Sequence, residues 1–307
     1  MNICSFLRSG ACLLVLTIAL PVQAGAPSGD SPTLYVADAE GLRIIKAGKM
    51  TQIAGRKTKL TSPWSIERQR LGDLVVGNRE VSHSHIPGRI VTLPAGEGNV
   101  PAKYVLECKD FTPGDIALDR DSNIWMTDYD TNDVRAYPAT ATGCPAPLVT
   151  IRGPHTQLAQ PEAIAIDSKG RIIVANYLSG LTIYAPGASG DAAPIATIEG
   201  AQTKNAHIEG LAVDNHDNIW VTSYANSAVY EFAPDAKGAA VPIRQLSGSQ
   251  TKLNDPIGLA IDRKSGDIYV ADYGTRAILE FAPDAQGNAA PIATITGPTF
   301  PWDLTLH

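Results

Sequence analysis

A sequence unit that recurs every 47 to 50 residues constrains this chain more than any other feature. One copy starts at Glu162 (EAIAIDSKGRIIVANYLSGLTIYAPGASGDAAPIATIEG) and the next at Glu209 (EGLAVDNHDNIWVTSYANSAVYEFAPDAKGAAVPIRQLSG). A third starts at Ile257 (IGLAIDRKSGDIYVADYGTRAILEFAPDAQGNAAPIATITG), and a more worn copy starts at Gly114 (GDIALDRDSNIWMTDYDTNDVRAY). Each copy holds four short segments rich in β-branched and aromatic residues, separated by Asp, Gly, Asn and Pro, the pattern of four strands. A four-stranded antiparallel sheet with two apolar faces cannot bury both alone. Copies must therefore stack around an axis, which makes the fold class all-β and the architecture a β-propeller.

The turns carry their own chemistry. The first segment of each copy ends on Asp119, Asp167, Asp214 or Asp262, whose carboxylate can accept from an amide two residues on and so start a tight turn. The third and fourth segments are joined by Ala-Pro-Asp/Gly-Ala-x-Gly, and the Pro of the following Ala-Pro-Ile suits the start of an edge strand, where no donor is needed. A further column, Asp38, Asn78, Asp128, Asn176, Ser223 and Asp272, closes every second segment and is expected to cap the turn after it. Tyr35, Trp125, Trp220 and Tyr269 share one strand position and are expected to pack between blades.

The chain ends fix the blade count. Pro63-Trp64-Ser65-Ile66 matches Pro113-Gly114-Asp115-Ile116 and adds a blade before the clear copies. Pro301-Trp302-Asp303-Leu304-Thr305-Leu306 matches only a first strand, whereas Leu34-Tyr35-Val36-Ala37-Asp38 matches a second strand, Ile268 to Asp272. The C-terminal strand is therefore expected to complete an N-terminal three-stranded blade, which closes a six-bladed ring and leaves no open edge.

The expected domain order is a signal peptide over 1–24, a short linker over 25–32 and a single propeller over 33–307. Arg8 precedes a ten-residue apolar run, Ala11 to Leu20; Pro21 breaks it, and Val22-Gln23-Ala24 suits a signal peptidase. A membrane span needs about 20 apolar residues, so a periplasmic or secreted, monomeric protein without a membrane span is expected. A net charge of −6 without a basic cluster argues against nucleic acid as a partner. Cleavage would leave Cys108 and Cys144. An oxidising compartment invites a disulfide, but the blade layout sets the two near opposite ends of outer strands in adjacent blades, and a bridge needs Cα atoms within about 7 Å. The bond is left open.

The phrases IYVADYGTRAILEF and IWVTSYANSAVYEF resemble NHL repeats, and more broadly the six-bladed group that includes the SMP-30-type lactonases. The resemblance covers nearly the whole chain after residue 24 and implies fold more than activity, because this architecture hosts lyases, lactonases, phosphotriesterases and pure binding proteins. It also implies a site on the face where each innermost strand begins, around the central channel. The residues just before the innermost strands are Trp302, Trp64, Gly114, Glu162, Glu209 and Ile257 in ring order, followed by Asp303, Ser65, Asp115, Ala163, Gly210 and Gly258. Two Trp thus stand opposite two Glu at the positions where the copies differ most.

Two functions follow. Trp64, Trp302, Glu162, Glu209, Asp115 and Asp303 could bind a small molecule or protein at this top face, a cationic or sugar-like group being held by ring stacking and cation–π attraction. Alternatively, Glu162, Glu209 and Asp115 could hold Ca²⁺ or another divalent cation and support a lactonase- or esterase-type hydrolase. The lactonase resemblance implies a metal-binding Glu at the start of the first blade; Ser31-Pro32-Thr33-Leu34 supplies none. His83, His85, His155 and His207 lie in loops expected on the same face, where a His-x-His pair plus a third His could hold zinc. In the amidating lyases of this fold, however, the zinc-binding His directly precedes an innermost strand, where this chain has Trp, Gly, Glu and Ile. No phosphate loop, paired-Cys motif or nucleophile elbow is present.

Overall fold

The computed structural model describes residues 18–19, 32–79, 88–109 and 111–307. The expected signal peptide and linker fall outside these residues except at 18, 19 and 32, and so do His83 and His85. The short strand Ile18–Ala19 pairs with Met50 and Lys49 on the outer edge of the first blade.

Six sheets form a six-bladed propeller. Blade 1 pairs Leu34–Asp38 with Gly41–Lys46 and Lys49–Ile53, and its innermost strand is the C-terminal Pro301–Leu306. Leu34 lies opposite Leu306 and Val36 opposite Leu304, and Thr33 and His307 exchange backbone hydrogen bonds of 2.8 and 2.9 Å. The ring therefore closes as the chain ends require. The innermost strands of blades 2 to 6 are Pro63–Arg68, Pro113–Leu118, Pro161–Ile166, Ile208–Val213 and Pro256–Ile261. Among the described residues, no helix is long and apolar enough to cross a membrane.

The core lies between the blades rather than within them. Six buried apolar clusters occupy the six blade–blade interfaces; the one between blades 4 and 5 joins Ile173, Leu181 and Ile183 to Leu211, Val221 and Phe232. Each second strand is buried along its whole length because both its faces meet a neighbouring sheet. The turn aspartates behave as expected: Asp119, Asp167, Asp214 and Asp262 each accept from the amide two residues on, at 2.7–2.9 Å. Asp119 and Asp214 also accept from the indoles of Trp125 and Trp220, which fixes those rings in the blade interfaces.

Two features depart from the sequence reading. The loop between third and fourth strands is more than a turn: its glycine makes a parallel bridge to the outer strand of the preceding blade. Gly98, Gly143, Gly190, Gly238 and Gly287 strap Ile53, Leu106, Ile151, Ile198 and Leu246 in this way. Gly143, for example, donates to Val105 O and its carbonyl accepts from Glu107 N, both at 2.8 Å. All five have φ between +61° and +77°, a region that costs other L-residues roughly 1 kcal/mol or more. The strap also explains the second departure. It carries Cys144 back over the end of blade 2, where Cys108 follows the outer strand, and the two form a disulfide with Cα atoms 5.0 Å apart. The expected separation of the two cysteines was wrong because that loop crosses to the neighbouring blade.

Candidate functional site

Each innermost strand bulges at its first turn. In blade 2, Pro63 pairs with Asn78 and Ser65 with Gly77, which leaves Trp64 as the extra residue. The same slip is present in all six blades. A bulge re-aims a side chain and is common beside sites. Here it brings the variable column that the sequence singled out to the mouth of the channel.

Trp64 and Trp302 stack, with centroids 4.5 Å apart and planes 24° apart. The two glutamates lie in adjacent blades, but they differ. Glu162 is 3% exposed and forms a salt bridge with Arg79, Oε1 to Nη1 at 2.6 Å. Burial raises its pKa, opposed by Arg79 and by a hydrogen bond from Trp64. Glu209 has no hydrogen-bond partner among the described residues; burial, then the charge of Glu162, pushes its pKa up to about 8.

Asp115 and Asp303 sit one step deeper and are committed to backbone. Asp115 Oδ2 accepts from Ile164 N of blade 4 at 3.0 Å, and Asp303 Oδ2 accepts from Ile66 N of blade 2 at 2.9 Å. Each ties its own innermost strand to that of the next blade. Glu67 shares this depth. Burial, then Asp303, raises the pKa of Glu67 to about 7; burial raises Asp303 to about 7 and Asp115 well above the usual range. Trp64, Glu209, Trp302, Asp115, Asp303 and Glu67 line one partly open cavity.

The structure does not bring Glu162, Glu209 and Asp115 together as a ligand set: among the described residues, no group of three or more His, Cys, Asp and Glu side chains could hold a metal ion. His155 is exposed and pairs with Asp191 at 2.7 Å. His207 stacks on Tyr177 at 4.5 Å, with its Nδ1 3.2 Å from the phenol oxygen.

Sequence reasoning stopped one residue short of the most extensive feature of the mouth. The residue after each second-strand cap is Arg79, Tyr129, Tyr177, Tyr224 or Tyr273 in blades 2 to 6. Four of these are held by backbone bonds to the loop entering their own blade: Arg79 to Ser62, Tyr177 to Gln160, Tyr224 to His207 and Tyr273 to Asp255, at 3.0–3.1 Å. The caps hold the same loops, since Asn78, Asp128, Asn176 and Asp272 accept from Thr61, Thr112, Ala159 and Asn254. That is a wider role than capping the following turn.

A half-buried π belt results. Tyr273 stacks on Trp302 at 5.2 Å, and Trp302 on Trp64. The Arg79 guanidinium lies 4.7 Å from the Trp64 ring and 4.9 Å from Tyr129. Tyr129 meets Tyr177 edge-on at 6.3 Å, Tyr177 stacks on His207, and His207 faces Tyr224 at 6.5 Å. Every blade contributes at least one member, and blades 2 and 5 contribute two each, Trp64 with Arg79 and His207 with Tyr224. The visible signal was the repeated Tyr in Asp-Tyr, Asn-Tyr and Ser-Tyr pairs.

The family model for the NHL repeat matches residues 253–281, the first three strands of blade 6 and the loop before them. The chain carries an NHL repeat. Among solved structures, this propeller is similar to a chain of the nidogen/laminin complex, with 13% identity over 90% of this chain and 98% of that chain and a TM-score of 0.65. It is also similar to a protein of unknown function from Bacteroides caccae (11% identity, 89% and 98% covered, TM-score 0.63). Virginiamycin B lyase from Staphylococcus aureus, in a catalytically inactive form with quinupristin, gives 13% identity, 89% and 88% coverage and a TM-score of 0.58. At these identities the likeness is one of fold. No curated protein matches the sequence. The likeness to SMP-30-type lactonases rests on the sequence phrases alone.

Proposed function

We propose that this NHL propeller is an exported binding protein that holds a small molecule or a protein segment at the mouth of its channel, without catalysis. The belt from Tyr273 through Trp302 and Trp64 to Tyr224 carries this reading. Half-exposed, mutually braced rings, of which Trp64 and Trp302 line the cavity, provide apolar contact area that loses little side-chain freedom on binding, with polar groups at fixed positions to orient a ligand. One neighbour, from the nidogen/laminin complex, comes from an assembly of two proteins, which agrees with a partner-binding role. Export is supported by the apolar leader and by the Cys108–Cys144 bond, since structural disulfides persist in oxidising compartments.

Among the described residues the hydrolase alternative lacks a donor set at this mouth: Glu162 is engaged by Arg79 and Asp115 by backbone amides. The test is tryptophan fluorescence of the purified protein during a screen of small amines, sugars and peptides, repeated with Trp302→Ala. Ligands whose signal disappears in the variant support the reading. Ligands that bind both proteins equally, or a melting temperature that drops on chelation, would overturn it.

A further inference from the structure

The mouth contains two carboxylates in adjacent blades, and among the described residues only Glu162 is paired with a cation, Arg79, whose charge also reaches Glu209. Glu162 is matched by Arg79, whose guanidinium donates to the carboxylate and lies over the faces of Trp64 and Tyr129. Glu209, in the next blade, lies close enough for its charge to act on the Tyr129, Tyr177 and Tyr224 phenols. It lines the same cavity as Trp64 and Trp302, but accepts no hydrogen bond from a described residue.

We infer that Glu209 recognises an N–H-bearing organic cation, a primary ammonium or guanidinium on an aliphatic stem, inserted at the channel mouth beside Tyr177 and Tyr224. This rests on the binding role proposed above and names its ligand class. The Arg79 arrangement is the internal template: carboxylate in line with the N–H groups, aromatic faces against the cation. A quaternary ammonium would satisfy the rings but offers no donor to the carboxylate. Where Glu209 is ionised, above about pH 8, a neutral ligand would leave its charge uncompensated in a desolvated place.

Among the described residues, the charged and titratable groups that interact with Glu209 are Glu162 and Arg79 from blades 4 and 2, Tyr129 and Tyr177 from blades 3 and 4, and Tyr224 from its own blade. Below about pH 8 Glu209 holds a proton, and a cation must displace it. Binding therefore releases one proton, and affinity rises with pH until Glu209 is ionised.

The experiment is calorimetric titration of the full protein with n-butylammonium, n-butylguanidinium, tetramethylammonium and n-butanol at pH 6 and pH 9. The expected result is binding of the first two, at least about tenfold weaker binding of tetramethylammonium, and an affinity gain of about a hundredfold from pH 6 to pH 9. Glu209→Gln, checked for an unchanged fold by circular dichroism, should abolish both the binding and its pH dependence. A tripeptide Gly-Lys-Gly binding more tightly than n-butylammonium assigns the cation to a protein partner, and equal affinities assign it to a free amine. Binding that is independent of pH, or unchanged in Glu209→Gln, would overturn the inference. If instead only neutral ligands bind, and do so in a Trp302-dependent way, this inference falls while the binding role stands. If no ligand class binds, both fall.

Discussion

Arg79 in blade 2 reaches past blade 3 to pair with Glu162 in blade 4, at 2.6 Å. Blade 3 carries Gly114 at its ring position, where even a Cβ would come within 2.6 Å of Thr127 Oγ1 and 3.0 Å of Glu162 O. The glycine lets the backbone of blade 4 approach this bulge closely. One side of the mouth is thus a cross-blade structure, in which the cation, Trp64, Tyr129 and Glu162 hold one another in place.

Removing the cation leaves a buried carboxylate without its partner. Arg79→Met should destabilise the fold by about 3 kcal/mol at pH 7.5, the range found when one half of a buried pair is removed. The deficit should shrink at pH 5, because Glu162 then escapes by taking up a proton. Urea denaturation of both proteins at the two pH values checks this; equal losses at both would mean that the pair is not the source.

The deep carboxylates give the wild-type protein a pH profile of its own. The folded pKa values of Glu67 and Asp303 lie near 7, above their ordinary values of 4.5 and 3.8. Between those limits the folded state binds more protons than the unfolded chain, so this contribution to stability falls as pH rises from about 4 through about 7. The melting temperature should be higher at pH 5 than at pH 7.5, and Glu67→Gln should flatten the difference. A melt that rises over this interval in the wild type and is unaffected by the substitution would contradict the assignment.

Two threonine hydroxyls link neighbouring bulges. Thr222 Oγ1 accepts from Gly210 N at 2.8 Å and donates to Ile257 O at 2.6 Å; Thr127 Oγ1 accepts from Asp115 N at 2.9 Å and donates to Glu162 O at 3.2 Å. Thr222→Val keeps the shape but orphans a buried donor and acceptor. It should cost about 1–3 kcal/mol, measurable by chemical denaturation, whereas Thr222→Ser should recover most of the loss.

The Cys108–Cys144 bond closes a segment with a sequence separation of 36 residues. Reduction, or Cys144→Ser, should lower stability by roughly 2–4 kcal/mol and leave the propeller folded, since the Gly143 strap persists without it. Thermal melts with and without reductant, alongside the variant, provide the measurement.

What could be read in advance follows from which residues repeat. The blade count, the closing strand and the variable ring column were legible because each copy supplies a register for the others. The π belt was equally periodic, but Tyr129, Tyr177, Tyr224 and Tyr273 follow a capping residue whose local role was enough to explain the position. The pairing of Arg79 with Glu162 was not legible, because it joins residues from different columns and from blades two apart. The disulfide was left open for a related reason: a loop assigned to one blade makes its bonds with another.

The glycine straps all point the same way along the chain, each loop reaching back to the outer strand of the blade before it. Blade 1 has only Ala47 and Gly48 between its last two N-terminal strands, so no loop of this kind reaches from it to blade 6. During synthesis, each new blade can therefore be fastened to the one already made as soon as its own third strand and loop are available. The pairing of Leu34 with Leu306 is the exception: it has the longest loop to close and must wait for the last residues. The molecule is then a string of sequentially locked units with one late joint. The slow step of its assembly is then expected to be the closure of blade 1, where Leu34–Asp38 meets Pro301–Leu306.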